Sequence, residues 1–342
     1  MFGGAMATIK DVAARCGVAV STVSRVVNGH PDVSEQTRDK VNRAIQELHY
    51  VPNGSARDLA QSQTDSIGVV VRGAENLFYS PIIRTMGQAC EAAGFTMVLD
   101  QIATDADEVS AAGALAMSKR LRGVVLLGGR FDYTPEDATI IGVPFVCCTH
   151  ANQFGTLDDD SYSSVSIDDV MAARQATEKL ISLGHSKIAV LLDSVNDRSI
   201  SELRYRGYCE ALTNAGIEVD DELVALAEDY SMKAAYYSVR DLLRRREDVT
   251  AIFSISDLLA IAAMKALHDE GKTVPGDVSI ISIDGIDTSL YTIPTLTTFE
   301  QPQARLGEQA IQILADTLTS GAPTRQVWVA TTIRPGGTLA AL

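Results

Sequence analysis

The chain has 342 residues, more than one average domain of about 150 residues, so two or three domains are expected. Hydrophobic residues make up 46% and charged residues 21%, ordinary for a globular protein, and no apolar run reaches the ~18 to 20 residues that a membrane span needs, so no membrane partner is expected. The net charge of −15 argues against a polyanion partner for the chain as a whole, and five cysteines without C-x-x-C spacing and five dispersed histidines support neither disulfides nor a metal site.

The stretch Met1-Phe-Gly-Gly-Ala-Met6 lacks the basic and apolar regions of a signal peptide, which predicts a cytoplasmic protein, with Met6 as an alternative start. From Thr8 the pattern becomes helical. Thr8 is an N-cap, and Ile9, Val12 and Ala13 recur at i, i+3 and i+4 up to Gly17, which suits a left-handed helix stop. A second helix follows, with Val23, Val26 and Val27 on its buried stripe. Its other face carries Ser21, Thr22, Ser24, Arg25 and Asn28: short donors and acceptors plus one long fork suited to guanine O6/N7 or phosphate. Two short helices around a glycine turn have the form of a helix-turn-helix over residues 9–28. A third helix, Glu35 to His49, is expected to be capped by Asp32 and Ser34 and to end before Pro52.

The run Thr8-Ile-x-Asp-Val-Ala, Ala14-x-x-Gly17-Val, Thr22-Val-Ser-Arg25-Val-Val-Asn28, Val33-Ser, Thr37-Arg-x-Lys-Val and Leu48-x-Tyr-Val-Pro52-Asn resembles the headpiece of the lactose/galactose repressor family. The resemblance implies that Thr8, Val20, Ser21, Thr22, Arg25 and Asn28 contact DNA, with Val20 and Ser21 setting operator choice. One departure is Ala19, where the family usually places a Ser as N-cap of the reading helix. The charge balance fits a confined contact. Residues 1–60 carry seven Lys or Arg and six Asp or Glu, net +1, whereas the rest of the chain is net −16, so the body repels DNA and affinity should depend on pairing two headpieces.

Residues 6–52 are therefore assigned to an all-α headpiece and residues 53–62 to a linker. In the family a similar segment is a hinge helix ordered on operator binding, with a leucine wedged into the minor groove, and by position its residues are Ala56 and Leu59. Residues 63–342 form the body. Continuous β-branched runs (67–71, 96–99, 124–127, 145–148, 188–192, 251–255 and 278–283) alternate with helical stretches at 80–93, 105–119, 169–183, 200–215, 234–246, 257–270 and 303–319. Ser66-Ile-Gly-Val-Val-Val, Cys90-Glu-Ala-Ala-Gly is echoed by Lys187-Ile-Ala-Val-Leu-Leu, Cys209-Glu-Ala-Leu, so two similar α/β lobes are expected, each a doubly wound parallel sheet. This resembles the periplasmic-binding-protein-like body of the same repressors. Crossings between lobes are placed at 160–164, 289–293 and 321–326, giving an N-lobe of about 63–162 and 293–322 and a C-lobe of about 163–290 and 323–342.

In open α/β sheets ligands bind beyond the carboxyl ends of the strands. The residues there are Asn76, Phe78, Tyr79, Asp168-Asp169, Arg204, Asp229-Tyr230, Ser256-Asp257, Asp284 and Gln301. Carboxylates and a guanidinium suit paired hydroxyls, and ring faces suit the C–H face of a sugar. The resemblance assigns an effector to Phe78, Tyr79, Asp168, Arg204, Tyr230, Ser256, Asp257, Asp284 and Gln301. Ser256 and Gly285 depart from the Asn and second Asp common in the family.

The expected function is a DNA-binding transcriptional regulator, a repressor that binds a near-palindromic double-stranded operator as a homodimer, or alternatively a tetramer. A small-molecule effector, a mono- or oligosaccharide, releases it. The alternatives are a corepressor-type regulator with a non-sugar ligand and a cytoplasmic solute-binding protein. No cofactor and no enzymatic activity are expected, since G-x-G-x-x-G after a strand, G-x-x-x-x-G-K-[ST], G-x-S-x-G and H-E-x-x-H are all absent.

Overall fold

A computed structural model describes residues 7–27, 32–48, 50, 64–73, 76–195, 198–228 and 230–342. The chain divides into two compact units, Met1–Gln63 and Thr64–Leu342. Asn28, Ala56 and Leu59, with the hinge segment, lie outside the described residues.

In the first unit, Thr8 opens α1 (Ile9–Cys16) through a reciprocal cap. Its Oγ1 accepts from the Asp11 amide at 3.4 Å, and Asp11 Oδ2 accepts from the Thr8 amide at 2.8 Å. Gly17, at φ 62°, ends the helix in the left-handed conformation, and α2 (Val20–Val27) follows. Ser34 is the N-cap of α3 (Glu35–Glu47), accepting from the Thr37 amide, and Asp32 stands 3.5 Å from Arg25. Val12, Cys16, Val23, Val26, Val41 and Ala44 close the core between the three helices. Burying one such valine contributes about 1.5–3 kcal/mol, so this small core is what fixes the orientation of α2.

The second unit holds two six-stranded sheets. The first takes β1 (Ser66–Arg72), β2 (Thr96–Ile102), β3 (Gly123–Leu127), β4 (Phe145–Cys148), β5 (Ser163–Ser166) and β11 (Gln326–Trp328), in the order β11-β5-β4-β3-β1-β2, all parallel. Ile67, Val69 and Val71 bury into one core and Val70 into another, so period-2 alternation feeds both faces of a covered sheet. Helices α4 (Tyr79–Ala92), α5 (Glu108–Lys119), α6 (Pro135–Ile141) and α11 (Gln303–Ser320) belong to this lobe.

The second sheet takes β6 (Ile188–Leu192), β7 (Val224–Leu226), β8 (Ala251–Ser254), β9 (Ser279–Asp284), β10 (Thr297–Glu300) and β12 (Thr332–Arg334), in the order β12-β10-β9-β8-β6-β7. It is parallel except for β12, which pairs antiparallel with β10, a departure from the purely parallel sheet expected. Its helices are α7 (Asp169–Ser182), α8 (Ile200–Asn214), α9 (Met232–Arg245) and α10 (Asp257–Asp269). Among the described residues no helix is long and apolar enough to cross a membrane.

Strand membership corrects the three crossings. Because β5 stays in the first sheet and α7 in the second lobe, the chain passes over at 167–168, not 160–164. Because β10 belongs to the second sheet and α11 packs into the first lobe's core, the second passage is at 301–302, not 289–293. The third lies between β11 and β12, at 329–331, not 321–326. The second correction matters most, since it places Gln301 in the connection between the lobes.

A candidate nucleic-acid interface and a candidate effector cleft

Helix α2 sorts its residues as an amphipathic helix must. Val23 and Val26 are buried, Ser21 and Arg25 are exposed, Val20 is 41% exposed and Thr22 is half-buried. The exposed side offers a hydroxyl, a guanidinium and one apolar contact. Ala19 accepts from the amides of Thr22 and Val23 through its backbone carbonyl, and its methyl offers them no side-chain acceptor. Thr8 differs from the expectation in one respect. Its hydroxyl is occupied with Asp11, donating at 2.7 Å, and the same bonds hold the Asp11 carboxyl below its usual range.

In the body, Arg204 is the centre of the cleft. It sits on α8, which packs close to α7 because position 207 is glycine: a Cβ there would collide with the Val170 carbonyl and the Arg174 amide. That close approach brings Arg204 Nε to 3.0 Å and Nη2 to 2.9 Å from Asp169 Oδ1. Nη1 donates to the Ile255 carbonyl and stands 3.7 Å from Asp284 Oδ1. Burial works against the Arg204 charge, yet Asp169 and Asp284 hold its proton more tightly than usual. The carboxylate on Arg204 is Asp169 and not Asp168, which is half-exposed and caps α7 by accepting from the Met171 amide at 2.9 Å.

Asp284, at the end of β9, is the other pole. Its side chain accepts from Gln301 Nε2 at 2.9 Å, and its carbonyl accepts from the Gln301 amide at 3.1 Å. Its φ is 135°, a region that favours glycine and costs roughly 1–3 kcal/mol for other residues. Burial, only partly offset by Arg204, raises its carboxyl from 3.8 to about 7, with the Asp257 charge adding to the rise. Tyr230 also has a positive φ, 54°, and hydrogen-bonds Ser256, which is the N-cap of α10.

From the other lobe Tyr79 reaches the same centre. A Cβ on Gly128 would collide with its hydroxyl, which bonds Thr149. Burial, with Asp284 next, pushes the Tyr79 phenol up to about 12, and Asp284, Arg204 and Tyr79 all act on Tyr230. Phe78, 5.8 Å from Tyr79, is 4% exposed and packs in the core, behind the site more than in it. Tyr79, Tyr230, Arg204, Asp284, Ser256 and Gln301 are therefore brought together, Asp168 is not, and Asp257 faces inward to the protein. Asp229 lies outside the described residues.

The sequence reading missed a polar network on the N-lobe side. Glu108 is fully buried and accepts from Tyr133 Oη and the Arg130 amide, both at 2.8 Å. Tyr133 Oη lies 3.0 Å from His150 Nε2, and burial lowers His150 to about 4. Its members come from three segments some 20 residues apart, so no local spacing announces it. Among the described residues no cluster of three His, Cys, Asp or Glu could hold a metal ion.

Residues 8–53 match the family pattern described as "Bacterial regulatory proteins, lacI family", and residues 177–339 match "Periplasmic binding protein-like domain". The HTH-type transcriptional regulator MalR of Clostridium butyricum is 40% identical over 321 residues, covering 93% of this chain and 95% of that one. The chain belongs to the LacI family of bacterial transcriptional regulators. Another relative of this LacI-family protein, the HTH-type transcriptional regulator CelR of Thermobifida fusca, is 36% identical over 91% of this chain and 92% of that one. Among solved structures, a transcriptional regulator CelR–cellobiose complex has a TM-score of 0.72 at 33% identity, covering 97% of this chain and 100% of that one. The lac repressor dimer bound to operator and the anti-inducer ONPF has a TM-score of 0.82 at 26% identity, covering 98% and 100%. The LacI-family assignment agrees with a helix-turn-helix in the first unit and a periplasmic-binding-protein-like fold in the second.

Proposed function

We propose that this regulator is a repressor that binds a near-palindromic operator as a homodimer and leaves it when a sugar occupies the cleft. The observation that carries the sugar reading is the cleft's composition. A buried guanidinium, the Asp284 carboxylate and the Gln301 amide converge with the rings of Tyr79 and Tyr230 from opposite lobes. Such a set offers bidentate partners to adjacent hydroxyls and flat apolar surface to the C–H face of a pyranose. The cellobiose bound by a relative at 33% identity supports the same class.

Pairing follows from charge: one headpiece of net +1 on a strongly acidic body binds DNA weakly, and two held together multiply their affinities through effective concentration. Exposed Leu290, Tyr291 and Ile293 give two copies an apolar face to bury. Sugar bridging the lobes favours their closed arrangement, and release follows if that arrangement binds the operator less tightly; the shift can be no larger than the differential affinity.

The test is a selection from randomised palindromic duplexes with the purified protein, followed by titration of the selected duplex with mono- and disaccharides. Enrichment of one palindrome and its release by a sugar is the expected result. Sugar-promoted binding would make the protein a corepressor-type regulator, and no enrichment would overturn the operator reading.

A further inference from the structure

Asp257 is fully buried at the first position of α10, yet its side chain points away from the cleft and into the protein. Ser282 Oγ and Thr298 Oγ1 each donate to its Oδ1 at 2.6 Å. Its Oδ2 accepts from the amides of Gly285 and Ile286 at 3.0 and 2.9 Å, and from Ser289 Oγ at 2.8 Å. Five donors from β9, β10 and the following loop thus converge on one carboxylate, leaving no lone pair for a ligand. The two amides are those that directly follow Asp284, whose φ of 135° needs support from its surroundings. Gly285, at φ 77°, completes the turn, and a Cβ there would collide with Glu300.

We infer that Asp257 is a positioning residue and not an effector ligand: its carboxylate anchors the Gly285 and Ile286 amides and so holds Asp284 in the strained conformation that presents it to the cleft. The inference rests on the reading of Asp284 as an effector residue. Charge enters as well as geometry. The groups facing Asp284 are Arg204, Tyr79, Tyr230 and Asp257, with Arg334 3.8 Å behind Asp257, and the Asp257 charge is the one that disfavours an ionised Asp284.

Two variants of the full chain separate the roles. Asp257→Ala removes the anchor. Amide exchange at Gly285 and Ile286 should accelerate, and cellobiose, used as the probe, should bind about tenfold more weakly or worse, as expected for lost hydrogen bonds to a charged acceptor. Asp257→Asn keeps an acceptor for both amides, because the Ser282 and Thr298 hydroxyls can turn to accept from its NH2 group. It should retain cellobiose affinity above the Asp284 midpoint while moving that midpoint to lower pH. Equal loss of affinity in both variants would make Asp257 a ligand and overturn the proposal, as would an unshifted midpoint in Asp257→Asn or unchanged exchange in Asp257→Ala. If Asp257→Ala does not fold, the Asn variant's pH profile decides. If the wild-type protein does not bind cellobiose, the sugar reading fails for that probe, and exchange at Gly285 and Ile286 in ligand-free Asp257→Ala decides the anchoring role alone.

Discussion

Arg204 Nη2 lies 2.9 Å from Asp169 Oδ1 with both side chains 2% exposed, and Asp284 stands 3.7 Å from the same guanidinium. One buried cation therefore answers to two buried carboxylates. Removing only the cation leaves both uncompensated, which in buried pairs costs about 3–5 kcal/mol. Arg204→Ala should accordingly lower the urea midpoint of the body as well as abolish the effector response. A variant that melts like the wild type while ignoring effector would show that the pair contributes nothing to folding.

The Asp284 carboxyl gives the body a pH dependence of definite sign. Its native value of about 7 lies above the ordinary 3.8, because burial disfavours the charge. Between those values the native state holds a proton that the unfolded chain has released, so this stabilisation is complete at low pH and is lost as pH rises through about 7. Burial raises Asp169 too, which adds in the same direction. Asp284→Asn should flatten the fall in melting temperature between about pH 5 and pH 8 relative to wild type; an unchanged slope would assign the dependence to other groups.

What was legible beforehand follows the physics of each signal. Central strands such as Phe145–Cys148 and Ile188–Leu192 were read to the residue, because a strand buried on both faces needs a continuous apolar run. Short or polar strands were not: Ser163–Ser166, between β11 and β4, is three serines around one valine, and the edge strands Val224–Leu226 and Thr332–Arg334 are three residues long. Since β5, β10, β11 and β12 flank the crossings, missing them displaced every crossing. In the cleft, Arg204, Asp284 and Gln301, singled out in the sequence as effector candidates, lie together in the structure. The choice between Asp168 and Asp169 was not legible, because the helix start places two carboxylates side by side and only the tertiary packing of α7 against α8 shows that the first caps the helix and the second meets Arg204.

Helix α2 begins directly after Ala19, whose methyl cannot satisfy the orphan amides of the first turn. Ala19→Ser should add that acceptor and stabilise the headpiece by about 0.5–2 kcal/mol. Thermal unfolding of the first unit, followed by hydrogen exchange in α2, measures it. A serine that leaves exchange in α2 unchanged would mean that the helix start is already satisfied by other groups.

Arg25 is the residue of α2 best placed to contact DNA without serving the fold. Its side chain is 60% exposed, and its ion pair with Asp32, at 3.5 Å, is of the surface kind worth about 0–1 kcal/mol. Arg25→Ala should therefore leave thermal stability and effector binding unchanged while weakening the selected operator by about 1–3 kcal/mol, roughly five- to 150-fold. Titrating salt separates the two roles open to a guanidinium. A phosphate contact lowers the slope of log affinity against log salt by about one in the variant, whereas a base contact relaxes preference at one operator position and leaves the slope nearly intact. Wild-type affinity, slope and preference together would remove α2 as the reading helix, because its remaining exposed side chains carry no charge.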